Sequence, residues 1–310
     1  MFRRILSFYT KYFAVWVVTF WVVAYLYPGP FVSLKPYMDW FFGFTMFGIG
    51  AVLEVEDFKK IVRRPGVVLI GTVAQFLIMP TGAYVLARVF NLPPEIGAGL
   101  ILTAAAPEAM SSGVISYVAK ADVAYSVSLT TVSTFLCPIC TPALTYLLVG
   151  RVVEFDFWAM VVGLLLMVIA PLAAGFGVRY YFKERIEKVL EVFPAISVTF
   201  IVFICSLVIA LNKNYLVMVT GAIVAADLIL NIWGMTAGYW VGALFRMDVR
   251  KRRTLSIEVG MQNAGLGTIL ALKYFGERAA IPAAAFVFIC IITAAVMAEI
   301  WRRQTAVNIE

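Results

Sequence analysis

The chain has no histidine and few charged residues. Of its 310 residues, 14% are charged and 63% are hydrophobic. Without histidine, the chain cannot be a zinc protease of the His-Glu-x-x-His type or an intramembrane protease with a Ser-His pair. So few charges cannot cover the surface of a water-soluble globular protein. The composition therefore predicts an integral membrane protein.

Two further kinds of site are missing or weak. No glycine-rich phosphate loop of the Gly-x-x-x-x-Gly-Lys-Ser/Thr type is present, so we do not expect ATP to drive the protein. Cys137 and Cys140 have the spacing of a redox pair, but they lie in an apolar segment beside two prolines, and we expect no thiol function. The net charge of +7 comes from basic residues in short loops, so it indicates membrane orientation and not nucleic-acid binding.

Ten apolar segments are candidates for membrane spans. A bilayer core needs roughly 20 apolar residues, and most of the segments bracket that length. The second segment is shorter and must tilt little or borrow flanking residues. The predicted spans are 13–34, 40–53, 65–87, 96–119, 123–150, 157–178, 192–212, 214–245, 254–272 and 279–298.

The basic residues indicate how these spans are oriented. With a cytoplasmic N-terminus, the inner loops hold 19 of the 25 lysines and arginines and the outer loops hold 6. Since basic residues accumulate on the cytoplasmic side, both termini are predicted to be cytoplasmic. The first span lacks a convincing small-residue cleavage site, so we expect it to be retained. These features predict a multi-pass protein of the cell's inner (plasma) membrane, surrounded by the lipid bilayer.

The ten spans divide near residue 151 into two sets of five. Because five is odd, two similar halves must enter the membrane in opposite orientations, as in the inverted repeats of secondary transporters. The expected fold is an all-α membrane protein with ten transmembrane helices. Residues 1–150 form the first five-helix repeat and residues 151–310 the second, within a single membrane domain.

The fourth and ninth spans are both interrupted. Pro107 and Gly113 enclose the first interruption, which contains Glu108, and Gly260 follows Glu258 in the second. A carboxylate in the middle of a span costs roughly 2.5 to 3.5 kcal/mol, so each one needs a partner. Interrupted helices in corresponding positions point to a substrate site, whereas two ordinary kinks are the alternative.

Glu258 is predicted to belong to a cation site. A broken helix exposes backbone carbonyls, and together with Glu258 and Gln262 these supply oxygen ligands for a small hard cation. In the fifth span, Ser126, Thr130 and Ser133 share one helical face. Their hydroxyls could point at the interrupted fourth helix or could simply bond their own backbone.

Three stretches of the sequence resemble the bile acid:sodium symporter family and its bacterial members. They are Ala74–Pro80, Asp122–Thr134 and Ile257–Gly265, of which the last contains the specific string Glu-Val-Gly-Met-Gln-Asn. The resemblance extends from about Trp16 to Trp301. It implies a core domain of crossed, broken fourth and ninth helices, a separate panel domain and two sodium sites.

The resemblance also implies residues for these sites. One sodium site is expected to use the side chains of Gln75, Glu258 and Gln262. The backbone carbonyls of Val259 and Met261 are expected to complete it. The other is expected to use Ser112, Ser126, Thr130 and Glu258. Substrate is expected at the helix crossover, where the binding candidates are Asn263, Met110, Ser111, Gly113 and Cys290.

The chain departs from the family pattern in the fourth span. Bacterial members commonly read Pro-Gly-Gly-Thr-Ala-Ser-Asn where this chain has residues 107–113, so Gly113 replaces an asparagine that would help to bind sodium. Glu108 adds a carboxylate five residues earlier and is a candidate ion or proton site. It could replace the missing ligand, carry a proton, or face the cytoplasm or a water-filled vestibule.

Several functions remain open at this point. The leading hypothesis is a sodium-coupled symporter, not an enzyme, that carries a bile-acid-like or smaller organic anion such as pantoate by alternating access. The alternatives are a proton-coupled organic acid transporter, with Glu108, Asp227 or Glu258 as carrier, and a channel or structural membrane protein with a vestigial ion site. Asp227 could equally be an anchor for Asn231, one turn later. The expected partners are sodium and a small organic anion, with no nucleic acid, and we expect a monomer.

Overall fold

A computed structural model describes residues 6, 9, 13–63, 65–150, 153–183, 186, 189, 190 and 192–307. Within these residues it contains helices and no β-strand, which confirms the all-α fold class. Each of the ten predicted spans contains at least one helix, and both chain termini lie outside the described residues. The helices are α1 (Phe13–Leu26), α2 (Gly29–Ser33), α3 (Met38–Val52), α4 (Val55–Arg63), α5 (Pro65–Val89), α6 (Pro94–Ala104), α7 (Ser112–Val118), α8 (Val123–Val149), α9 (Phe157–Leu164), α10 (Ala170–Tyr181), α11 (Val192–Leu211), α12 (Lys213–Leu244), α13 (Val249–Gly260), α14 (Ala264–Tyr274) and α15 (Ala280–Val307).

Not every predicted span is a long continuous helix. Five helical stretches are long and apolar enough to cross a membrane, or six if the bent pair α3 with α4 is counted as a single span. One of the five is Phe157–Tyr181, in which the π-helical turn Leu165–Ile169 joins α9 to α10. The fourth and ninth predicted spans fall short of that length because each is divided into two short helices, α6 with α7 and α13 with α14. The arrangement of ten spans in two inverted repeats therefore stays a prediction.

The chain forms two compact units. The first comprises Met1–Val55 and Trp158–Val219, and the second comprises Glu56–Phe157 and Thr220–Glu310. Each unit takes one segment from each half of the chain. The predicted repeats are defined by chain order, so the division into units does not test them.

Glycines bring α3 and α10 together within the first unit. A Cβ atom added at Gly50 would collide with the backbone carbonyl of Leu172, and one added at Gly175 would collide with that of Phe47. Small residues allow this close approach, which is how helices commonly associate inside membranes.

The second unit contains both broken helices, which meet at their breaks. Ala109 N donates a hydrogen bond to Met261 O at 2.9 Å, and Asn263 N donates one to Pro107 O at 2.7 Å. These two bonds form a short antiparallel bridge. The two interruptions that the sequence predicts are therefore held together by their own backbones.

Neighbouring helices satisfy further backbone groups at the breaks. Thr141 of α8 and Gln75 of α5 donate to the two carbonyls that follow α6, at 2.6 and 3.2 Å. Asn231 of α12 donates its amide Nδ2 to Gly260 O at 2.9 Å. Because lipid offers no hydrogen bonds, irregular backbone at membrane depth is stable only when protein groups or water satisfy it.

Side-chain caps fix the starts of three helices in this unit. Asp122 caps α8, Asp248 caps α13 and Asn263 caps α14, each accepting from a backbone N–H at 3.0 to 3.1 Å. Such caps satisfy amides that have no partner within the helix. At Asp248, partial burial opposes ionisation, but hydrogen bonds from Lys251 lower the pKa of the carboxyl below its usual value.

Candidate functional site

One face of α8 holds both carboxylates of the broken helices. Ser126 donates to Glu258 Oε1, Thr130 Oγ1 donates to Glu258 Oε2 at 3.0 Å, and Ser133 donates to Glu108 Oε2. Both glutamates and both serines are completely buried. The hydroxyls of Thr130 and Ser133 also contact carbonyls of their own helix. This face of α8 therefore bonds both the broken helices and its own backbone.

The four side chains expected at one sodium site lie together. Ser112 Oγ is 3.4 Å from Thr130 Oγ1, and both Ser126 and Thr130 bond the Glu258 carboxylate. No ion pair joins Glu258 to a basic residue among the described residues. A group of oxygen ligands with a single carboxylate and no basic partner suits a hard monovalent cation.

The residues expected at the other sodium site are only partly together. Gln75 Nε2 donates to Gln262 Oε1 at 2.6 Å, Gln262 Nε2 donates to Gln75 Oε1 at 3.2 Å, and Gln262 Nε2 also reaches Val259 O at 2.9 Å. The Met261 carbonyl accepts the bond that joins the two breaks, and the Glu258 carboxylate turns to α8. Sodium binding by this group would require the two amides to exchange their mutual hydrogen bonds for bonds to the ion.

The two unusual positions of the fourth span point at different places on α8. A Cβ atom at Gly113 would lie 3.8 Å from Ser126 Oγ, an ordinary contact, so a side chain there would extend toward the Glu258 group. Glu108 instead contacts Ser133, about two turns along α8 from Ser126. Its Oε1 atom is buried without a hydrogen-bond partner among the described residues. Full burial also means that Glu108 does not face a water-filled vestibule.

The substrate candidates differ from the cation candidates in exposure. Met110, Gly113 and Asn263 are half-buried and Ser111 is exposed. Cys290 is only 2% exposed, and its thiol donates to a carbonyl of its own helix. Four of the five candidates are therefore accessible near the crossover, whereas Cys290 is enclosed.

Sequence reasoning did not identify two supports of the crossover. Asn231 bonds the last carbonyl of α13, and Thr141 bonds the first carbonyl after α6. A lone amide in an apolar helix was the available signal for Asn231. Thr141 gave no distinctive signal because threonine in a membrane helix usually bonds its own backbone.

The chain is similar to named transporters over nearly its whole length. It is 35% identical to the "Uncharacterized sodium-dependent transporter YocS" of Bacillus subtilis (strain 168), an alignment that covers 97% of this chain and 94% of that protein. It is 33% identical to the "Probable sodium/metabolite cotransporter BASS1, chloroplastic" of Arabidopsis thaliana, covering 96% and 75%. It is 30% identical to the "Probable sodium/metabolite cotransporter BASS2, chloroplastic" of Oryza sativa subsp. japonica, covering 98% and 73%.

A match to a family agrees with these similarities. Residues 40–219, more than half of the chain, match the family described as "Sodium Bile acid symporter family". The named relatives are transporters or cotransporters and not enzymes. With its apolar helices, the protein is a multi-pass membrane transporter of a sodium-dependent kind. The chain belongs to the sodium bile acid symporter family.

Proposed function

We propose that this protein is a sodium-coupled symporter that carries a small organic anion across a membrane by alternating access. The observation that best supports the proposal is the pair of buried carboxylates, Glu108 and Glu258, on the hydroxyl-lined face of α8. Taking an unpaired ion out of water costs several kcal/mol. No basic side chain compensates either carboxylate among the described residues, so bound cations are the natural counter-charge.

Two cation sites share Glu258 in this proposal. The first uses Ser112, Ser126, Thr130 and Glu258. The second uses Glu258, the amide oxygens of Gln75 and Gln262, and the backbone carbonyls of Val259 and Met261. A bound sodium supplies positive charge, and the chain's own oxygens replace its hydration shell.

The substrate would bind next to Asn263, at the start of α14. The unpaired amides at a helix start carry partial positive charge and bind anions. Asn263 Oδ1 already caps α14, and its Nδ2 atom makes no hydrogen bond among the described residues, which leaves a donor for a carboxylate. An organic anion, either bile-acid-like or as small as pantoate, fits this chemistry.

The same contacts suggest how ion and substrate are coupled. Val259 and Met261 are candidate sodium ligands through their carbonyls, and Asn263 follows two residues later. Sodium binding would order this short unwound segment and so fix the donors that face the anion. We further propose that the protein works as a monomer in the plasma membrane.

Uptake into proteoliposomes tests the proposal. Purified protein would be given a panel of labelled organic anions with an inward sodium gradient, an inward proton gradient or neither, and Glu258→Gln would serve as the inactive control. Concentrative uptake that requires sodium is the expected result. Uptake driven by protons alone would favour the proton-coupled alternative. Flux that only dissipates gradients would favour a channel and overturn the proposal.

A further inference from the structure

A second polar cluster lies on α12, apart from the face of α8. Asp227 and Asn231 are both completely buried. Neither oxygen of the Asp227 carboxyl has a hydrogen-bond partner among the described residues, and neither has Asn231 Oδ1. Residues four apart on a helix are neighbours, so three unpaired oxygens are held within one turn of α12.

The orientation of Asn231 is fixed by the crossover. Its amide nitrogen donates to Gly260 O at 2.9 Å. A carbonyl can only accept, so Nδ2 must face Gly260 and Oδ1 must point away from it. Asn231 therefore bonds the last carbonyl of α13 through Nδ2, while its Oδ1 atom faces a position without a hydrogen-bond donor among the described residues.

We propose that Asp227 binds a proton and donates it to Asn231 Oδ1, so that the α12 pair forms a proton site linked to the break of α13. The protonated carboxyl gains an O–H donor and pairs two of the three free oxygens at once. The alternative ligand, a dehydrated metal cation, needs about six oxygens, and the cluster offers three. An ionised Asp227 would be a buried and unpaired charge, which is far more costly than a neutral carboxyl.

Loss of the proton would have a specific effect on the crossover. When the proton leaves to water, the Asp227 carboxylate becomes a strong acceptor, and Asn231, four residues later on the same helix, carries an amide donor. If the Asn231 amide rotates to bond Asp227, it releases Gly260 O. The carbonyls of Val259 and Met261 flank Gly260, so this release would loosen a candidate sodium site.

Few other titratable groups of the second unit face Asp227. From α15, the Cys290 thiol is close enough to interact electrostatically, but it donates to its own helix. From α13, Glu258 turns to α8. From α5, the titratable residues are Tyr84 and Arg88, where Arg88 is exposed and lies over the Tyr84 ring. A change that depends on the α12 pair can therefore be separated from these groups by substitution.

Infrared spectroscopy tests the proton site without any substrate or sodium. The wild-type protein at neutral pH should show a carbonyl band of a buried, protonated carboxylic acid. Glu108 and Glu258 are buried carboxyls that also absorb in this region when no sodium is bound. Asp227→Asn should therefore remove only the Asp227 component of the band, and Asp248→Asn, a change at an exposed helix cap, should keep that component. Asn231→Ala should keep the component but move it to higher frequency, because the acceptor of the acid proton is gone. If Asp227→Asn leaves the spectrum unchanged, Asp227 is not protonated and the proposal is wrong.

Sodium binding tests the link to α13, and this part rests on the proposed function. Thermal stabilisation by sodium chloride, at ionic strength held constant with choline chloride, would be measured across pH. In the wild type, the sodium concentration for half-maximal effect should rise at alkaline pH by roughly threefold to tenfold, the worth of one neutral hydrogen bond. In Asp227→Asn, whose amide can still donate to Asn231 Oδ1, the alkaline rise should vanish.

The two measurements separate the possible failures. A wild-type profile without the alkaline rise, or an identical rise in Asp227→Asn, would refute the link between the proton and the crossover. If sodium stabilises no variant at any pH, the sodium-coupled function fails, while the infrared band still decides whether Asp227 holds a proton. Retention of helical circular dichroism by each variant would exclude misfolding as the cause of a lost band.

Discussion

The paired amides of Gln75 and Gln262 allow a prediction whose size follows from the hydrogen bonds. Gln75 takes part in three bonds, to Ala106 O and twice to Gln262, and Gln262 takes part in three, twice to Gln75 and once to Val259 O. The two residues share two of these bonds, so four distinct bonds exist. At about 1 kcal/mol for each, either change to Ala should lower the free energy of unfolding by about 3 kcal/mol.

The double change should then cost about 4 kcal/mol and not the 6 kcal/mol that additivity would give. The difference, about 2 kcal/mol, is the coupling energy of the amide pair. Unfolding of the four proteins of this cycle would be followed in mixed micelles without sodium, by titration with a denaturing detergent. Gln304→Ala, at an exposed position, provides the matched control and should change the free energy of unfolding by less than about 0.5 kcal/mol.

Repeating the cycle with sodium separates structure from function. If both glutamines bind one ion, each change to Ala should raise the sodium concentration for half-maximal uptake, and the double change should raise it by less than the product of the single effects. Additive unfolding energies without sodium would mean that the amide pair does not form. Coupled unfolding energies together with strictly additive effects on sodium binding would make the pair structural, and the shared site would be wrong.

Three further predictions concern other positions. Glu258→Gln should abolish sodium-dependent uptake in liposomes while the protein still inserts and folds, because a neutral amide cannot compensate the cations; normal transport at low sodium would contradict the ion-site assignment. Glu108→Ala should raise the sodium concentration for half-maximal uptake, and adding Gly113→Asn should partly reverse the rise; if neither variant changes sodium affinity or the pH dependence of uptake, Glu108 has no part in ion binding. Gly99→Ala should destabilise the protein by about 1 to 3 kcal/mol in detergent unfolding, because the new methyl group collides with the backbone carbonyl just before α15; Gly66→Ala, where no atom lies within 4 Å, is the control and should be nearly neutral.

Local features of the fold could be predicted from the sequence. Hydropathy predicted the segments, and every one of them contains a helix. Proline and glycine marked the two breaks because these residues remove an amide donor or loosen the backbone within a few positions. The shared face of Ser126, Thr130 and Ser133 followed from helical periodicity alone.

Partners that are distant in the chain could not be predicted in the same way. Helical periodicity left open whether Ser133 would point at the fourth helix or bond its own backbone, and it did not identify Glu108 as the partner. The residues themselves also did not indicate that the Glu258 carboxylate would turn to α8 and away from Gln262. Such pairings depend on the depth and rotation of each helix in the bundle, which periodicity leaves undetermined. Asn231 is a similar case, because Gly260 O is free to accept its hydrogen bond only as a result of α13 ending at that residue.

The bridge between the two breaks has a consequence for the assembly of the protein in the membrane. The fourth span enters the bilayer during synthesis about 150 residues before the ninth span exists, since domains and helices emerge from the N-terminal side first. Until then Ala109 N lacks the Met261 carbonyl, and Pro107 O lacks the amide of Asn263. Exposed backbone groups are costly in lipid, so the newly inserted fourth span must stay hydrated or shielded by other protein groups until the ninth arrives. Truncation before Met261 should therefore leave a fourth span that inserts poorly, even though all of its own residues are present.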